Sequence, residues 1–474
     1  MDMKAIKYVF VGALMIGFNA PAMAQQDNKA IIESISKVIK SKAADTEEQV
    51  KAVFKKNKKN GEVLVGIGRA YYDIKDTANA CNYANLAAKL KYAPAYVLKG
   101  DLRALAEDGG GAAEWYDQAI YANPKDPEPY YKYASVYRKI SPAQAVSKLE
   151  DLRVQRPDIA VDALKGRIYY QSNDFDQAIA AFKKADISKM EDRDIRSFAM
   201  AYYLKGQYEE SFNITRQALE KSPRDAGYNR LAFFNSTDMK NYEQALNYAD
   251  RLFNQSDSAK FSYYDYTYYG NALNGAKKYD EAIAAFKQAL AQEFDSKDKR
   301  AGVIKTLSDA YSSQDKYAEA IQYYKEYLQE YSTPTATDYA GLPQLYYYQA
   351  SKQTGDEMIA SLTEADNLYA QLAEKYPDAV EYATFWRARV NNAKDNDQQN
   401  GYAKPFYEKL IELYSSRTEL GKADLSRLKE SYLYLISYEA RVANNFDAAK
   451  EHATKLLEID PENAVAKQVI EAAK

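Results

Sequence analysis

The residue types that most often carry catalysis are scarce in this chain. It contains one cysteine, Cys81, and one histidine, His452, among 474 residues. A cysteine nucleophile needs an activating base, and no histidine lies near Cys81 in the sequence. One Cys and one His cannot build a Cys/His zinc site, and a Ser-His-Asp triad would have to use His452. We therefore predict that Cys81 is a small buried residue, that His452 faces solvent, and that the chain binds no metal.

The sequence also contains no recognisable phosphate-binding motif and no identifiable pair of catalytic carboxylates. The chain contains neither G-x-x-x-x-G-K-[ST] nor G-x-G-x-x-G after a strand, and we interpret the glycines of EDGGGAAE (107–114) as a turn between helices. Asp and Glu together number 67, so a glycosidase-like acid pair stays open, although nothing marks a particular pair. These observations predict a protein without a cofactor and without enzymatic activity.

Two nearly identical segments indicate which elements position the remaining side chains. NDFDQAIAAFKKA (173–185) aligns without gaps to KKYDEAIAAFKQA (277–289). The two lie about three units of roughly 34 residues apart, and that length is the period of a helix–turn–helix repeat. The composition agrees, because Gly (19) and Pro (13) are few while Tyr reaches 45. We therefore expect a chain of helical hairpins.

Units of this period share a pattern of small and large residues. In one unit, Gly166 and Tyr169 fall on the first helix and Ala178 and Phe182 on the second. A small residue allows two helices to approach closely, and a large one fills the space beside it. Seven units fit the pattern well, a looser one lies around Tyr242, and the register slips after residue 334.

On these residues the chain resembles the tetratricopeptide-repeat family over nearly all of residues 25–474. The resemblance implies an all-α fold, a right-handed α-solenoid superhelix of about ten to eleven helix hairpins. We expect N-terminal helices, a degenerate repeat or cap, at 25–60 and a regular array at 61–334. Degenerate repeats with insertions are expected at 335–461, followed by a C-terminal capping helix at 462–474.

The first 24 residues are predicted to be a secretory signal peptide. Two lysines precede an apolar run from Tyr8 to Phe18, and Ala22-Met23-Ala24 supplies a small-x-small cleavage site. No cysteine follows the run to carry a lipid, and no other apolar run approaches the roughly 20 residues that span a bilayer. We expect cleavage after Ala24 and export to a Gram-negative periplasm.

The charge pattern gives little support to nucleic acid as a partner. The net charge is −3, and residues of both signs are interspersed along the chain. Nucleic-acid binding usually rests on a basic stripe that neutralises phosphates. We therefore expect the partner to be a protein, a peptide or a glycan.

In the family that the chain resembles, the first helices of successive repeats line the concave face, where partners bind. The groove positions carried across to this chain are rich in Arg, Tyr and Asn, and Arg and Tyr often anchor interfaces. The candidate partner-binding residues are Arg69, Tyr72, Tyr131, Arg138, Arg167, Tyr170, Arg193, Arg196, Tyr203, Asn229, Tyr264, Asn271, Asn274 and Lys305.

These features together predict an exported, non-enzymatic scaffold that binds a protein or an extended peptide in its concave groove within the cell envelope. A glycan-binding envelope protein is an alternative, in which Tyr170, Tyr203 and Tyr264 would stack on sugar rings. An all-α hydrolase or lyase is a further alternative.

Overall fold

A computed structural model describes residues 21–472 of the chain, with side chains from residue 28 onward. These residues form 25 α-helices and no strand. The chain divides into two compact units, residues 1–222 and 223–474, which are described separately. Most of the predicted signal peptide, residues 1–20, lies outside the described residues.

Twelve α-helices are described in the first unit, together with a 3₁₀ turn at Ile187–Lys189. They are α1 (Pro21–Ser41), α2 (Thr46–Asn57), α3 (Gly61–Asp73), α4 (Thr77–Lys89), α5 (Ala93–Leu105), α6 (Gly109–Ala122), α7 (Glu128–Tyr137), α8 (Pro142–Gln155), α9 (Asp162–Gln171), α10 (Phe175–Phe182), α11 (Asp192–Leu204) and α12 (Tyr208–Lys221).

Thirteen α-helices are described in the second unit, with a π-turn at Arg251–Gln255 and a 3₁₀ turn at Pro377–Ala379. They are α13 (Ala226–Asp238), α14 (Tyr242–Asp250), α15 (Tyr263–Gly275), α16 (Tyr279–Leu290), α17 (Lys297–Ser312), α18 (Tyr317–Glu330), α19 (Ala336–Ala350), α20 (Gly355–Lys375), α21 (Val380–Lys394), α22 (Lys404–Ser415), α23 (Lys422–Arg441), α24 (Phe446–Ile459) and α25 (Ala464–Ala472).

The helices from α3 to α24 pair in order, each odd-numbered helix packing against the next one. This gives five hairpins in the first unit and six in the second, in line with the predicted number. The all-α class and the consecutive hairpins are thus as predicted from the sequence. The finer division at residues 60, 334 and 461, and the handedness of the superhelix, stay predictions.

Small residues on first helices face large rings on second helices, as the sequence pattern predicts. A Cβ placed on Gly166 would fall 2.6 Å from a ring carbon of Phe182, and one on Gly270 would fall 2.6 Å from a ring carbon of Phe286. Both phenylalanines are fully buried. These two hairpins therefore close at a point where only glycine leaves room for the partner ring.

The turns inside several hairpins share one local arrangement. A residue in the left-handed region follows the first helix, such as Lys75 (φ 63°) or Asn173 (φ 59°). The next residue caps the second helix: Asp76 accepts from the Asn79 amide and Asp174 from the Gln177 amide. An aspartate at this position satisfies an amide that the helix itself leaves unpaired.

The three glycines of EDGGGAAE do not form the turn that we predicted. Residues Gly109–Ala122 are helix α6, so the glycines are its first turn, and the amide of Gly111 donates to Asp108 Oδ1 at 2.8 Å. The N-cap that Asp108 provides outweighs the low helix propensity of glycine at this end of the helix.

Past residue 334 the hairpins keep their order but change in length. Helix α20 has 21 residues, whereas α18 in the preceding hairpin has 14. The insertions predicted within residues 335–461 therefore include residues that lengthen a helix. None of the helices between residues 21 and 472 has the length and apolar character of a bilayer-spanning segment.

Candidate functional site

Three successive first helices of the first unit, α7, α9 and α11, line one groove. Its volume is about 830 Å³, and four of the predicted partner-binding residues lie on its walls: Tyr131, Arg138, Arg167 and Arg193. The connection between α10 and α11 contributes a further wall, which includes Met190. We call this space the α7–α9–α11 groove.

The groove has an apolar floor and a charged rim. Ala134, Ala163, Leu164 and Ile168 supply apolar surface between the charged groups. The volume lies within the roughly 300–1,000 Å³ typical of ligand sites, which are commonly apolar with a few placed polar groups. The arrangement suits an extended segment with small apolar side chains and at least one acceptor.

Two of the groove arginines differ in their freedom to bind a partner. Arg167 is held by Asp194, with Nε–Oδ1 at 2.6 Å and Nη2–Oδ2 at 2.7 Å. Arg138 donates through Nη1 to the carbonyl and hydroxyl oxygens of Ser135, both at 2.6 Å. No ion pair joins Arg138 to a carboxylate in the described part of the chain. Arg138 therefore keeps donors for a partner, whereas those of Arg167 are largely taken up by Asp194.

Titration of the groove follows from these pairs. Burial lowers the pKa of Arg167, but hydrogen bonds and charge from Asp194 overcome that effect, so the pKa is raised. A hydrogen bond from Arg193 lowers the pKa of Glu191. Burial raises the pKa of Tyr131. These shifts keep Arg167 charged, Glu191 ionised and Tyr131 neutral over the physiological range.

The predicted Arg69 and Arg167 share an unexpected role, since each grips an aspartate of the next hairpin's first helix. Arg69 Nη1 lies 3.0 Å from Asp101 Oδ2, and Asp101 is only 5% exposed. Arg230 in the second unit makes the same kind of pair with Asp265. We call these pairs inter-repeat clamps. A buried carboxylate needs such a partner, because an unpaired buried charge is costly.

The other predicted residues of the first unit sit outside the α7–α9–α11 groove lining. Tyr72 is half-buried on α3. Tyr170 is half-buried, its ring 5.9 Å from that of Phe175. Arg196 pairs with Asp192 at 2.7 Å, and the Tyr203 ring lies 5.5 Å from that of Tyr208.

In the second unit, the predicted residues are dispersed over α13, α15 and α17. Asn229 is fully buried, and its amide nitrogen donates to the Pro223 and Asp225 carbonyls, so its side chain serves the fold. Tyr264 is 39% exposed. Lys305 pairs with Asp309 at 3.3 Å.

Asn271 and Asn274, both on α15, differ in exposure. Asn271 is exposed, whereas Asn274 is half-buried and its Oδ1 has no hydrogen-bond partner in the described residues. The structure thus gathers four of the fourteen predicted residues in one groove and leaves the partner-binding role of all of them a prediction.

The two singular residues differ from our interpretation. Cys81 is exposed, with the Asn85 amide 3.5 Å from its sulfur, so the prediction of a buried thiol is wrong. Position 81 follows Ala80, which faces the core, and turns outward on α4. His452 is half-buried and its ring lies 6.1 Å from that of Tyr432, so it is less exposed than we predicted. Within residues 21–472 no cluster of three or more His, Cys, Asp or Glu side chains is placed to hold a metal ion.

Comparison with known families identifies the repeats. The tetratricopeptide repeat model matches residues 163–186 and 306–332. The chain carries tetratricopeptide repeats. The first match covers α9 and α10, which supply Arg167 to the groove, and the second covers most of the α17–α18 hairpin. No curated protein is similar to the chain in sequence.

Several solved structures are similar to parts of the chain. The C-terminal part of a TPR repeat-containing protein from Cytophaga hutchinsonii is 22% identical and covers 58% of this chain and 98% of its own, with a TM-score of 0.48. A tetratricopeptide repeat protein from Parabacteroides merdae is 20% identical and covers 53% of this chain and 98% of its own, with a TM-score of 0.34.

Proposed function

We propose that the chain is an exported, non-enzymatic tetratricopeptide-repeat scaffold that binds a protein or extended peptide within the cell envelope. The α7–α9–α11 groove is the binding site in this proposal. The observation that carries it is that three consecutive first helices bring Tyr131, Arg138, Arg167 and Arg193 together around one apolar floor.

The geometry favours an extended occupant over a folded one. Helices that pack side by side, as α9 and α11 do, are about 8–10 Å apart, so side chains from these two first helices recur at that step along the groove. An extended chain advances roughly 3.3–3.6 Å per residue, so about every third residue would meet a new first helix. The alanines of the floor leave room for the backbone of such a segment.

Arg138 supplies the polar anchor of the proposed site. Its guanidinium has five N–H donors, and the contacts to Ser135 employ only Nη1. A carboxylate or a peptide carbonyl in the groove would accept from the remaining donors. Arg167 is committed to Asp194 and would shape the groove wall instead of gripping the ligand.

Site-specific photo-crosslinking in cells tests the proposal. A photoreactive residue at Ser135, which is exposed in the groove lining, should capture one partner in the envelope fraction. The matched control carries the same residue at Tyr121, which is 86% exposed on α6 and does not line the groove. Adding Arg138→Ala to the Ser135 probe should reduce the yield of the adduct severalfold.

Equal adducts from both probe positions, or an adduct that Arg138→Ala leaves unchanged, would show that the groove is not the binding site. Recovery of the protein from the cytosol alone would contradict the export part of the proposal.

A further inference from the structure

Half-exposed aromatic rings form a continuous surface on the first helices α19 and α21 of the second unit. The ring centroid of Tyr347 lies 6.2 Å from that of Tyr348 and 5.5 Å from that of Trp386. The Tyr382 ring lies 6.3 Å from Trp386. Tyr348 is 38% exposed and the other three are partly exposed. We call Tyr347, Tyr348, Tyr382 and Trp386 the aromatic surface.

A buried hydroxyl without a partner lies beneath this surface. Tyr369 of α20 is fully buried and stacks on Trp386 at 5.9 Å with an interplanar angle of 11°. Its hydroxyl lies near that of Tyr382 but makes no hydrogen bond of acceptable geometry in the described residues. Burial, followed by the phenols of Tyr382 and Tyr348, raises the pKa of Tyr369, so its proton stays available for donation. Because this hydroxyl is inaccessible to a ligand, Tyr369 supports the surface through its ring, which stacks on Trp386.

Charged groups beside the surface neutralise one another. Arg389 pairs with Glu430 through two contacts of 2.9 and 2.6 Å, and its guanidinium carbon lies 5.6 Å from the Trp386 ring centroid. Arg387 pairs with Asp366 at 2.7 Å. The border of the surface therefore offers donors and acceptors without a net charge.

We propose that the aromatic surface binds a neutral glycan chain. Flat rings that stay half-exposed can stack against the C–H face of a sugar ring, and tyrosine and tryptophan add a polar group at the ring edge. The hydroxyls of the partly exposed Tyr347, Tyr348 and Tyr382 offer the mixed donors and acceptors that sugar hydroxyls need, and the Arg389–Glu430 pair adds to them.

The same features weigh against other occupants. A nucleic acid or an anionic polymer requires unpaired cations, and the arginines next to this surface are paired. A proline-rich peptide also docks on aromatic grooves, so it is the competing occupant in the test below. The site shares no residue with the α7–α9–α11 groove, so this inference does not depend on the proposed peptide binding.

Tryptophan fluorescence makes the site directly observable. The chain has two tryptophans, and Trp115→Phe leaves Trp386 as the single emitter. Phenylalanine keeps a ring against Tyr96, whose centroid lies 6.2 Å from that of Trp115. Titration of this variant with laminarin, xyloglucan, galactomannan and amylopectin should change the Trp386 emission with at least one of them. The same polysaccharide should retard the wild-type chain in native affinity electrophoresis.

Two variants and one matched control distinguish the loss of a contact with the ligand from a general loss of folded structure. In the Trp115→Phe background, Tyr348→Ala removes an exposed ring, and we expect about a tenfold loss of affinity, since one aromatic contact and its buried area are lost. Tyr382→Phe keeps the ring and should weaken binding severalfold by removing one hydroxyl. Tyr402→Ala, at a 49% exposed tyrosine of the same unit, should leave the affinity unchanged.

Three results would overturn the proposal. The first is that none of the four polysaccharides affects emission or migration. The second is binding that Tyr348→Ala and Tyr382→Phe leave unchanged while circular dichroism shows the fold intact. The third is a stronger fluorescence response to a proline decapeptide than to every polysaccharide, which would assign the surface to peptides.

Discussion

Inter-repeat clamps join the first helices of neighbouring hairpins through single residue pairs. Arg167 reaches forward to Asp194, and Arg230 makes the corresponding pair with Asp265 in the second unit. Both aspartates are nearly inaccessible, at 2% and 1% exposure. Both arginines thus serve the packing of neighbouring hairpins, because losing either one would leave a buried carboxylate unpaired.

The only histidine provides a second residue-scale observation. His452 is half-buried, and burial lowers its pKa more than the nearby carboxylates Glu439, Glu451 and Glu408 raise it. We expect the imidazole of the folded protein to titrate with a midpoint below the roughly 6.5 of an unfolded chain. Because it is the single histidine, NMR of protein labelled only in histidine should follow one ring through the titration.

The sign of the linked stability follows from that shift. Below the pKa of the unfolded chain, the unfolded state binds the proton more readily than the folded state, so stability falls as the pH drops through about 6.5. His452→Gln should remove this part of the pH dependence. A midpoint at or above that of an unfolded reference peptide would contradict the burial argument.

Residue roles were only partly predictable from the sequence. Groove positions could be placed from the repeat register, and four of them do line one groove. The register cannot tell whether Arg167 faces a partner or a buried aspartate, because that depends on Asp194 of the next hairpin. The aromatic surface was missed because 45 tyrosines give no contrast in composition. A signal was present: Tyr382 and Trp386 are four residues apart, on one face of a helix.

At the scale of elements, hairpin closure depends on glycines that touch rings and tolerates glycines that do not. Gly270 on α15 faces the buried ring of Phe286, whereas a Cβ at Gly302 on α17 would meet no atom within 4 Å. Both are helical positions in the same unit. The two glycines therefore form a matched pair in which only the packing differs.

We predict opposite effects for alanine at these two positions. Gly302→Ala should raise the free energy of unfolding by about 0.5–1 kcal/mol, because alanine loses less backbone entropy in a helix. Gly270→Ala should lower it by roughly 1–3 kcal/mol, because overpacking against Phe286 outweighs the same gain. Urea unfolding followed by circular dichroism measures both. A stabilising Gly270→Ala would show that the ring moves aside without cost.

The helices and their pairing into hairpins were more predictable from the sequence than the roles of single residues. The small–large pattern located α9, α10, α15 and α16 because the same contacts recur in every hairpin. The pattern was wrong for the glycines at the start of α6, because the N-cap that Asp108 provides makes them helical. It also did not predict that extra residues lengthen helix α20. Caps and helix lengths depend on single residues, whereas the repeat pattern averages over many.

At the scale of the whole molecule, the repeat period predicted the number of hairpins, because each unit needs neighbours to bury its apolar faces. Charge, composition and the repeats narrow the partner to a protein, peptide or glycan but do not choose among them. In the described residues, the α7–α9–α11 groove and the aromatic surface offer two chemically distinct sites, one cationic and apolar, the other aromatic and neutral. A scaffold that binds both a peptide partner and a glycan would use both.

The protein can bind ligands of the cell envelope only if it is exported. Export can be tested before any ligand is identified. Expressed in full in a Gram-negative host, the chain should appear in the periplasmic fraction with its N-terminus at Gln25, as intact-mass measurement would show. Signal peptidase requires small residues at the cleavage site, so Ala24→Leu should leave the precursor unprocessed and membrane-associated. The control variant Ala20→Leu changes a residue outside the small-x-small pair and should be processed normally. If the wild-type chain keeps residues 1–24 and stays in the cytosol, the envelope assignment fails, whereas peptide and glycan binding by the two surfaces would still stand on their own measurements.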